Sequence, residues 1–498
     1  MRFTWYTPLY QAKDAAAEFS LSAWDNSQKA VLYVPALDAT KARVAKNPIT
    51  GALLPAVYIG AIVPNVGSNI NGMVTESNKA YPLGFVKNRG LHFGPRIGFA
   101  YDLTGDGKTA IRSGFGTFYN TRPRGWTVGD MATNPPIQFT PTIYYGTLST
   151  FINSSGTLAP SSVVGADLNA KTPTIYNFSF AVQRDVGFGT VVEAAYVGSL
   201  SRHLNARRNI NQIPYGTLFL PSSIDTTNNL ALPTNFLRPY QGYGNISISE
   251  NNLTSNYNSL QVQANRRFVK GLEFGAMWTW SKAMTYGEAD GGSVPSYAPL
   301  RTWSYGKGSW DRTHNLTVNF LWQIPKGSKL ANNIVTRLVT DNWKVSGLAT
   351  FVSGSPTGIS CSTSYTLEVT GGGDGYRCLA LGNAIIPKSD RNMTHFFDTT
   401  KFKMPPVGNA GNAPKDVLRG PGTNNWDMTL FKVFPAVKER YKFQIRFEAY
   451  NAFNHTQFSG INTSAQFDQT GAQINPSFGI ITSARSPRLM QAALRLDF

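Results

Sequence analysis

The sequence predicts an all-β fold, a transmembrane antiparallel up-and-down β-barrel with long loops at one end. Three observations predict it: segments of about ten residues alternate apolar and polar side chains, the connectors between them alternate short and long, and the last segment ends on an aromatic residue. The composition agrees, because only 15% of the 498 residues are charged while 12% are aromatic and Gly (46) and Pro (29) are frequent.

The alternating segments supply the strands. In residues 272–280 the large apolar side chains share one face, namely Leu272, Phe274, Ala276, Trp278 and Trp280. Residues 315–324 and 443–449 repeat the pattern, and Arg446 and Glu448 fall on the polar face, which therefore lines a wet lumen rather than lipid. Comparable segments lie near 2–7, 93–102, 109–119, 174–185, 190–200, 257–267, 342–353, 425–434 and 489–498, so about twelve strands are expected.

Connector lengths distinguish a barrel from a soluble β-sandwich. Short connectors are expected near 103–108, 186–189, 268–271, 326–341 and 435–442, and long ones near 9–92, 120–173, 201–256, 283–313, 354–424 and 454–488. Strict alternation of the two kinds is typical of tight periplasmic turns and long extracellular loops. A sandwich has no reason to show it.

The last segment places Met490, Ala492, Leu494, Leu496 and Phe498 on one face. A final alternating strand that ends on an aromatic residue resembles the assembly signal of outer-membrane proteins. We therefore expect Leu494, Leu496 and Phe498 to be recognised by the barrel assembly machinery, and the protein to lie in lipid of the bacterial outer membrane.

Several other classes are disfavoured. No stretch approaches the ~20 consecutive apolar residues of a membrane helix. The net charge of +18 is scattered and forms no basic run, so no nucleic-acid partner is expected. No Gly-x-Ser-x-Gly elbow occurs, and the five histidines stand apart in sequence, so neither an enzyme, a metal site nor a cofactor is predicted.

Cys361 and Cys378 lie 17 positions apart in a segment rich in Gly, Ser and Thr. With no neighbouring His cluster a zinc site is disfavoured. A loop disulfide in an oxidising compartment is expected, and two unpaired thiols are the alternative.

Residues 102–107 (DLTGDG) begin like a calcium-binding loop. Ser113 stands where such a loop places its bidentate Glu, and the segment lies between two predicted strands. A turn is therefore favoured over a calcium site.

Five short motifs together resemble the barrel of the Oar-like TonB-dependent receptors that are abundant in acidobacterial genomes. They are residues 94–102 (GPRIGFAYD), 105–116 (GDGKTAIRSGFG), 311–316 (DRTHNL), 418–422 (LRGPG) and 446–455 (RFEAYNAFNH). The resemblance implies a 22-stranded barrel closed by an N-terminal plug and coupled to TonB through a periplasmic box. This sequence shows no signal peptide, box or plug, so residues 1–498 are expected to be one partial barrel domain, the C-terminal part of such a receptor.

The expected function is uptake of an unidentified nutrient, such as a siderophore or glycan, and the alternative is an adhesion or protein-binding barrel without transport. Aromatic residues of the predicted loops are candidates for stacking on a ligand, although packing within the loops is the favoured interpretation: Tyr144, Tyr145, Tyr240, Tyr243, Trp303, Tyr305 and Trp310. No ligand site is assigned from the sequence.

Overall fold

The computed structural model describes residues 1–5, 14–82, 84–120, 128–145, 147, 149, 156–329, 333–435 and 442–497. The strands that build its main wall are β1 (Arg2–Trp5), β2 (Leu91–Gly94), β3 (Arg96–Asp102), β4 (Thr109–Tyr119), β5 (Thr174–Gly187), β6 (Thr190–Asn209), β7 (Tyr243–Val269), β8 (Leu272–Thr285), β9 (His314–Gln323), β10 (Trp343–Val352), β11 (Thr423–Pro435), β12 (Lys442–Tyr450) and β13 (Leu489–Asp497). Each alternating segment predicted from the sequence overlaps one of these strands.

The wall consists of one antiparallel meander, β3 to β13, and a separate two-stranded antiparallel sheet, β1 and β2. Strands β3 to β13 pair in chain order, each with the next, and β1 pairs with β2. Pro95 alone separates β2 from β3, because proline has no N–H to donate to the ladder. Within the described residues β13 pairs only with β12 and β1 only with β2, so the wall has two open edges and does not close into a barrel.

The pairing register carries the alternation from strand to strand. Trp278 of β8 lies opposite Leu316 of β9, and Leu316 lies opposite Phe351 of β10. Side chains directly opposite each other share a face, so these residues belong to one apolar face. Their neighbours Thr317 and Thr350 pair on the other, polar face.

One end of the wall has tight turns. Residues 188–189 join β5 to β6 with φ of 54° at Phe188 and 71° at Gly189, and residues 270–271 join β7 to β8 with φ of 51° at Lys270 and 81° at Gly271. Two consecutive positive φ values are typical of the type I′ turn, whose twist matches that of the flanking strands. The long connectors all lie at the opposite end, as the sequence predicted.

Strands β6 and β7 are longer than predicted, and this corrects the long connector that we expected at 201–256. Both continue past the wall, with a bulge at His203 (φ 58°) where the β6–β7 register shifts. Beyond it, Ser161–Ala166 pairs in parallel with β7, and Gly292–Val294 pairs in parallel with β6. Ser and Asn replace the apolar alternation in this region, which is why the sequence pattern did not reveal it.

The long connectors contain short strands of their own, at Ala17–Phe19, Val34–Leu37, Arg43–Lys46, Leu53–Pro55, Met73–Thr75, Ser161–Ala166, Ile224–Asp225, Leu230–Ala231, Gly292–Val294, Gly306–Lys307, Pro356–Thr357, Ser360–Thr363, Leu379–Ala380, Phe402–Lys403, Leu418–Arg419, Phe458–Ile461, Ser464–Phe467 and Ile481–Ala484. The α-helices are α1 (Val128–Met131), α2 (Thr234–Leu237), α3 (Leu300–Ser304) and α4 (Ile334–Thr340). Of the helices in the described part of the chain, none is long and apolar enough to cross a membrane.

The buried core lies in these connectors rather than in the wall. The N-terminal loop core contains Phe19, Val163, Tyr243 and Ile246. The C-terminal loop core contains Cys378, Phe397, Phe402, Phe467 and Phe478. The long connectors are therefore packed together, and each apolar interior is built by more than one connector.

Candidate functional site

A charged cluster occupies the polar face of β11 to β13. The Glu448 carboxylate accepts hydrogen bonds from Arg446 at 3.3 Å, from the Tyr450 hydroxyl at 3.3 Å and from the Gln491 amide. Asp427 stands beside it and accepts from the Asn425 amide at 2.9 Å. We call Asp427, Arg446, Glu448, Tyr450 and Gln491 the polar-face cluster.

A groove of about 210 Å³ runs along this cluster. Its polar lining comes from Ser346 of β10, Asp427 and Thr429 of β11, and Glu448 and Tyr450 of β12. Carboxylates, hydroxyls and a phenol can bind a polar ligand or a hydrated cation through hydrogen bonds. The sequence predicted that Arg446 and Glu448 face away from lipid, but it did not indicate that they meet Asp427 and Gln491.

A second charged group lies on the same face, on β4 to β6. Arg112 donates to the Gln183 side chain at 2.6 Å and lies 3.8 Å from the Glu193 carboxylate. The polar face is thus charged along much of the wall, as a surface in contact with water can be.

An ion pair with a fully buried carboxylate joins two of the sequence motifs. Asp311, whose side chain is fully buried, accepts from the backbone N–H of Ala283 at 2.6 Å and pairs with Arg419. Arg419 also donates to the carbonyl oxygen of Gly354 at 2.9 Å. The DRTHNL and LRGPG segments therefore meet at the long-connector end of the wall, and nothing in either segment alone indicated this contact.

A wall with one apolar and one polar face, and with short and long connectors in alternation, matches a known protein family. The family model described as the outer membrane beta barrel domain matches residues 1–491. The chain belongs to this family. The protein is therefore located in the bacterial outer membrane.

Among solved structures, the chain is similar to the outer membrane transporter YddB from Escherichia coli (9% identity, TM-score 0.40), and the match covers 81% of this chain and 40% of that chain. It is also similar to the ferric-catecholate import receptor Fiu from E. coli K12 (10% identity, TM-score 0.36, covering 91% of this chain and 40% of that chain). A third match is the siderophore receptor PiuA from Acinetobacter baumannii (11% identity, TM-score 0.37, covering 80% of this chain and 35% of that chain). The chain spans less than half the length of each of these proteins. A search of curated proteins finds no match.

Membership of this family indicates which face of the wall contacts lipid and which contacts water. In an outer membrane barrel domain the apolar face contacts lipid and the polar face lines the lumen. Tight turns lie on the periplasmic side and long connectors on the extracellular side. The polar-face cluster therefore faces the lumen, and the two loop cores lie at its extracellular mouth.

The loop aromatics named from the sequence are mostly packed. Tyr243 is 1% exposed and its hydroxyl donates to the carbonyl oxygen of Asn71 at 2.8 Å. Tyr240 packs edge to face on Trp24, with 5.3 Å between ring centroids. Both belong to the N-terminal loop core and are not free to stack on a ligand.

The remaining aromatics divide into packed and exposed residues. Arg377 lies over the Trp303 ring at 4.4 Å, and the Tyr305 hydroxyl accepts from the Asn256 amide at 2.9 Å. Tyr144 packs against Tyr58 at 5.0 Å. Tyr145 (67% exposed) and Trp310 (50% exposed) alone keep much of their surface open to solvent.

The DLTGDG segment forms a turn, as favoured from the sequence. Asp102 accepts from the backbone N–H of Gly105 at 3.1 Å and of Gly107 at 2.7 Å, while Asp106 accepts from Lys108 N–H at 3.0 Å. Gly105 and Gly107 have φ near +70° and +73°. The carboxylates thus stabilise the turn itself, and no group of three or more metal-ligating side chains occurs in the described ranges.

Cys361 and Cys378 form a disulfide with their Cα atoms 5.2 Å apart. Cys378 is completely buried in the C-terminal loop core, and Cys361 packs against that core. The bond ties the strand Ser360–Thr363 to the segment that precedes Leu379–Ala380.

Of the three residues named as an assembly signal, Leu494 and Leu496 lie on the lipid-facing side of β13 and are 72% and 58% exposed. Phe498 lies outside the described residues. Recognition by the assembly machinery stays a prediction.

Glu18 is an ionisable group buried in the extracellular loops. It is 1% exposed, and desolvation raises its pKa to about 8, although Glu18 accepts from the Ala166 N–H at 3.0 Å. Because the folded-state pKa lies above the unfolded value of 4.5, the folded loops bind the extra proton. Their stability is then greatest at low pH and falls as the pH rises toward 8.

We expect Glu18→Gln to remove this pH dependence, because the amide keeps an acceptor for Ala166 without a charge. The measurement is the amide-exchange protection factor of Ala166, corrected for intrinsic exchange, between pH 5 and pH 8. As the pH rises, the protection factor of Ala166 should fall in the wild type and stay constant in Glu18→Gln. The control variant Glu76→Gln, in the same connector, should behave as the wild type. A protection factor that does not change with pH in the wild type would contradict a raised pKa of Glu18.

Helix α4 lies beside the lipid-facing side of the wall at its periplasmic end. Lys432 of β11, whose neighbours Leu430 and Phe434 face lipid, donates from Nζ to the carbonyl oxygens of Val339 (3.1 Å) and Asp341 (2.6 Å). A cation at these last carbonyls stabilises the helix end. The apolar residues of α4 remain 54% to 73% exposed, namely Ile334, Val335, Leu338 and Val339.

We expect a nitroxide label at Leu338→Cys to lie in the inner-leaflet interface of a reconstituted membrane, because exposed apolar helix faces partition there. Electron paramagnetic resonance should show more collisions with oxygen than with a water-soluble nickel complex. A label at Lys108→Cys, in an exposed periplasmic turn, is the aqueous control. Equal accessibility at the two sites would contradict the expectation.

Proposed function

We propose that this chain forms the wall and extracellular mouth of an outer-membrane uptake receptor that acts with TonB. The proposed chemistry is ligand binding and gating, without a catalytic step. The ligand is an unidentified nutrient that the polar lumen and the ordered extracellular loops together select.

One observation supports this function above others: the charged lumen face lies beneath extracellular connectors that fold into packed bodies. An unselective pore needs only a wet lumen, whereas a receptor needs a fixed surface at its mouth. Two loop cores, a disulfide and the Asp311–Arg419 pair supply such a surface. The polar-face cluster supplies hydrogen-bonding groups for a polar ligand below it.

The open edges support a larger parent protein. Unpaired backbone groups are costly in lipid, so β1 and β13 require further partners. We propose that residues 1–498 are one partial domain of a 22-stranded Oar-like barrel of the acidobacterial type. Contact with TonB would come through a segment outside this chain, and assembly in lipid would use the barrel assembly machinery.

The test uses the gene in its own bacterium. A deletion strain is complemented with the wild type, with Glu448→Gln or with Glu273→Gln, and uptake of ferric siderophores, cobalamin, glycans and peptides is measured with and without an uncoupler. We expect deletion to abolish energy-dependent uptake of one of these nutrients. Glu448→Gln should reduce that uptake, because Glu448 is held in the polar-face cluster.

Glu273→Gln is the matched control, since Glu273 is an exposed glutamate of the same face near the periplasmic end. Uptake of every nutrient at wild-type rates in the deletion strain would contradict the proposal. Loss of adhesion to a surface or a protein, with uptake intact, would favour the adhesion barrel instead.

A further inference from the structure

A cavity of about 1060 Å³ lies outside the lumen. Its floor on the wall is Trp278 of β8, Leu316 of β9 and Phe351 of β10. These residues pair with one another on the lipid-facing side. The lumen-facing neighbours Thr279, Thr317 and Thr350 are not among its lining residues. The cavity is therefore on the membrane side of the wall.

The strand ends that line the cavity show at which depth of the membrane it lies. His314 is the first residue of β9 and Val352 the last of β10, and both line the cavity. These are extracellular strand ends, so the cavity lies at the outer-leaflet boundary. His314 stacks in parallel on Trp278, with centroids 5.9 Å apart and planes 7° apart. Such aromatic groups favour the membrane interface.

The roof comes from the C-terminal loop core. Phe396 and Leu418 of this core line the cavity, together with Ile385 and Phe458 of the same loops. An apolar space open to the membrane gains free energy when hydrocarbon rather than water fills it. The shape and lining therefore suit an acyl chain.

The charges around the cavity have one sign. Lys388, Arg391 and Arg419 line it with His314 and His455, and no Asp or Glu does so among the described residues. Arg419 forms a salt bridge with Asp311, so we do not count its charge as available to a ligand. Arg391 donates to the carbonyl oxygen of Ile386 at 3.1 Å and lies 5.0 Å over the Phe396 ring, which fixes its guanidinium beside the cavity. Lys388 is exposed and can reach toward a ligand.

We propose that this cavity binds an anionic amphiphile of the outer leaflet, a phosphorylated glycolipid. Its acyl chain lies against Trp278, Leu316 and Phe351, and its phosphate lies against Lys388 and Arg391. Arginine and lysine are the usual phosphate partners of proteins, and the absence of a carboxylate in the lining avoids repulsion. The site is separate from the lumen, so it does not depend on the proposed uptake function.

The experiment is native mass spectrometry of the purified full chain in detergent, titrated with lipid A that carries two phosphates. Dephosphorylated lipid A tests the need for the phosphate, and phosphatidylglycerol tests a phospholipid source of the same chemistry. We expect the bisphosphorylated form to bind at least about tenfold more tightly than either, since a charge-assisted contact contributes roughly that factor.

Variants locate the site. Lys388→Ala combined with Arg391→Ala should weaken binding of bisphosphorylated lipid A about tenfold. Lys329→Ala, at an exposed lysine of the periplasmic end, should leave it unchanged. A second variant, Leu316→Asp, should weaken binding of both lipid A forms by making the floor polar. Far-ultraviolet circular dichroism checks that each variant keeps the β-structure of the wild type.

Equal affinity for all three lipids, or wild-type binding by the Lys388/Arg391 double variant, would overturn the proposal. Preference for phosphatidylglycerol over lipid A would also overturn it. Nutrient uptake at wild-type rates in the deletion strain, with lipid binding by the purified chain intact, would contradict only the uptake function, so the two failures are distinguishable.

Discussion

Asp311→Ala is expected to cost about 3 kcal/mol, because it leaves Arg419 without its partner and the Ala283 N–H without its acceptor. Removing the buried carboxylate costs more than the pair contributes, since Arg419, whose side chain is 27% exposed, stays partly desolvated without its counter-ion. The loss should appear as faster amide exchange at Ala283 and through residues 354–422, with the turns at the periplasmic end unchanged.

A double-mutant cycle with Arg419→Ala isolates the interaction between the two side chains. We expect the double variant to be destabilised by clearly less than the sum of the single variants, because the second change removes a charge that the first left unpaired. Asp311→Asn, which keeps an acceptor for Ala283, should fall between wild type and Asp311→Ala. Simple additivity would show that the pair is not coupled.

The wall strands could be predicted from the sequence because a membrane imposes a pattern with period two. Side chains in the membrane-spanning part of β8 and β9 face either lipid or water, so the alternation in residues 272–280 and 316–322 is visible without tertiary information. The alternation of connector lengths has an equally local cause, since a meander returns to the same side after two strands.

The loops could not be predicted in this way. Asp311 and Arg419 are 108 positions apart, and Glu18 meets Ala166 across 148 positions. Such contacts depend on how the whole connector folds. Tyr243 illustrates the difficulty, since an aromatic residue in a predicted loop is equally suited to stacking on a ligand and to a core, and only burial decides between them.

The polar-face cluster was predictable only in part. Alternation in 443–449 places Arg446 and Glu448 on the lumen side, which the structure confirms. That Gln491 and Asp427 join them depends on the register of β12 with β13 and β11, which no local pattern specifies.

Removal of the disulfide, as Cys361→Ala with Cys378→Ala, is expected to destabilise the C-terminal loop core by about 3 kcal/mol, since a link across 17 positions restricts the unfolded loop by that amount. Cys378 is fully buried against Phe397 and Phe467, so alanine also leaves a small cavity. Cys378→Ser should be worse than Cys378→Ala, because a buried hydroxyl then needs a partner.

Loss of the disulfide is expected to affect only the extracellular loops around it. Amide exchange in residues 358–419 should accelerate when the disulfide is removed by substitution or reduced, while β8 to β10 keep their protection, because the link joins two segments of the extracellular loops and none of the wall. Since the loop core also roofs the cavity lined by Phe396 and Leu418, lipid binding should weaken in parallel. Identical exchange in the oxidised and reduced protein would show that packing of the phenylalanine cluster alone maintains the extracellular mouth.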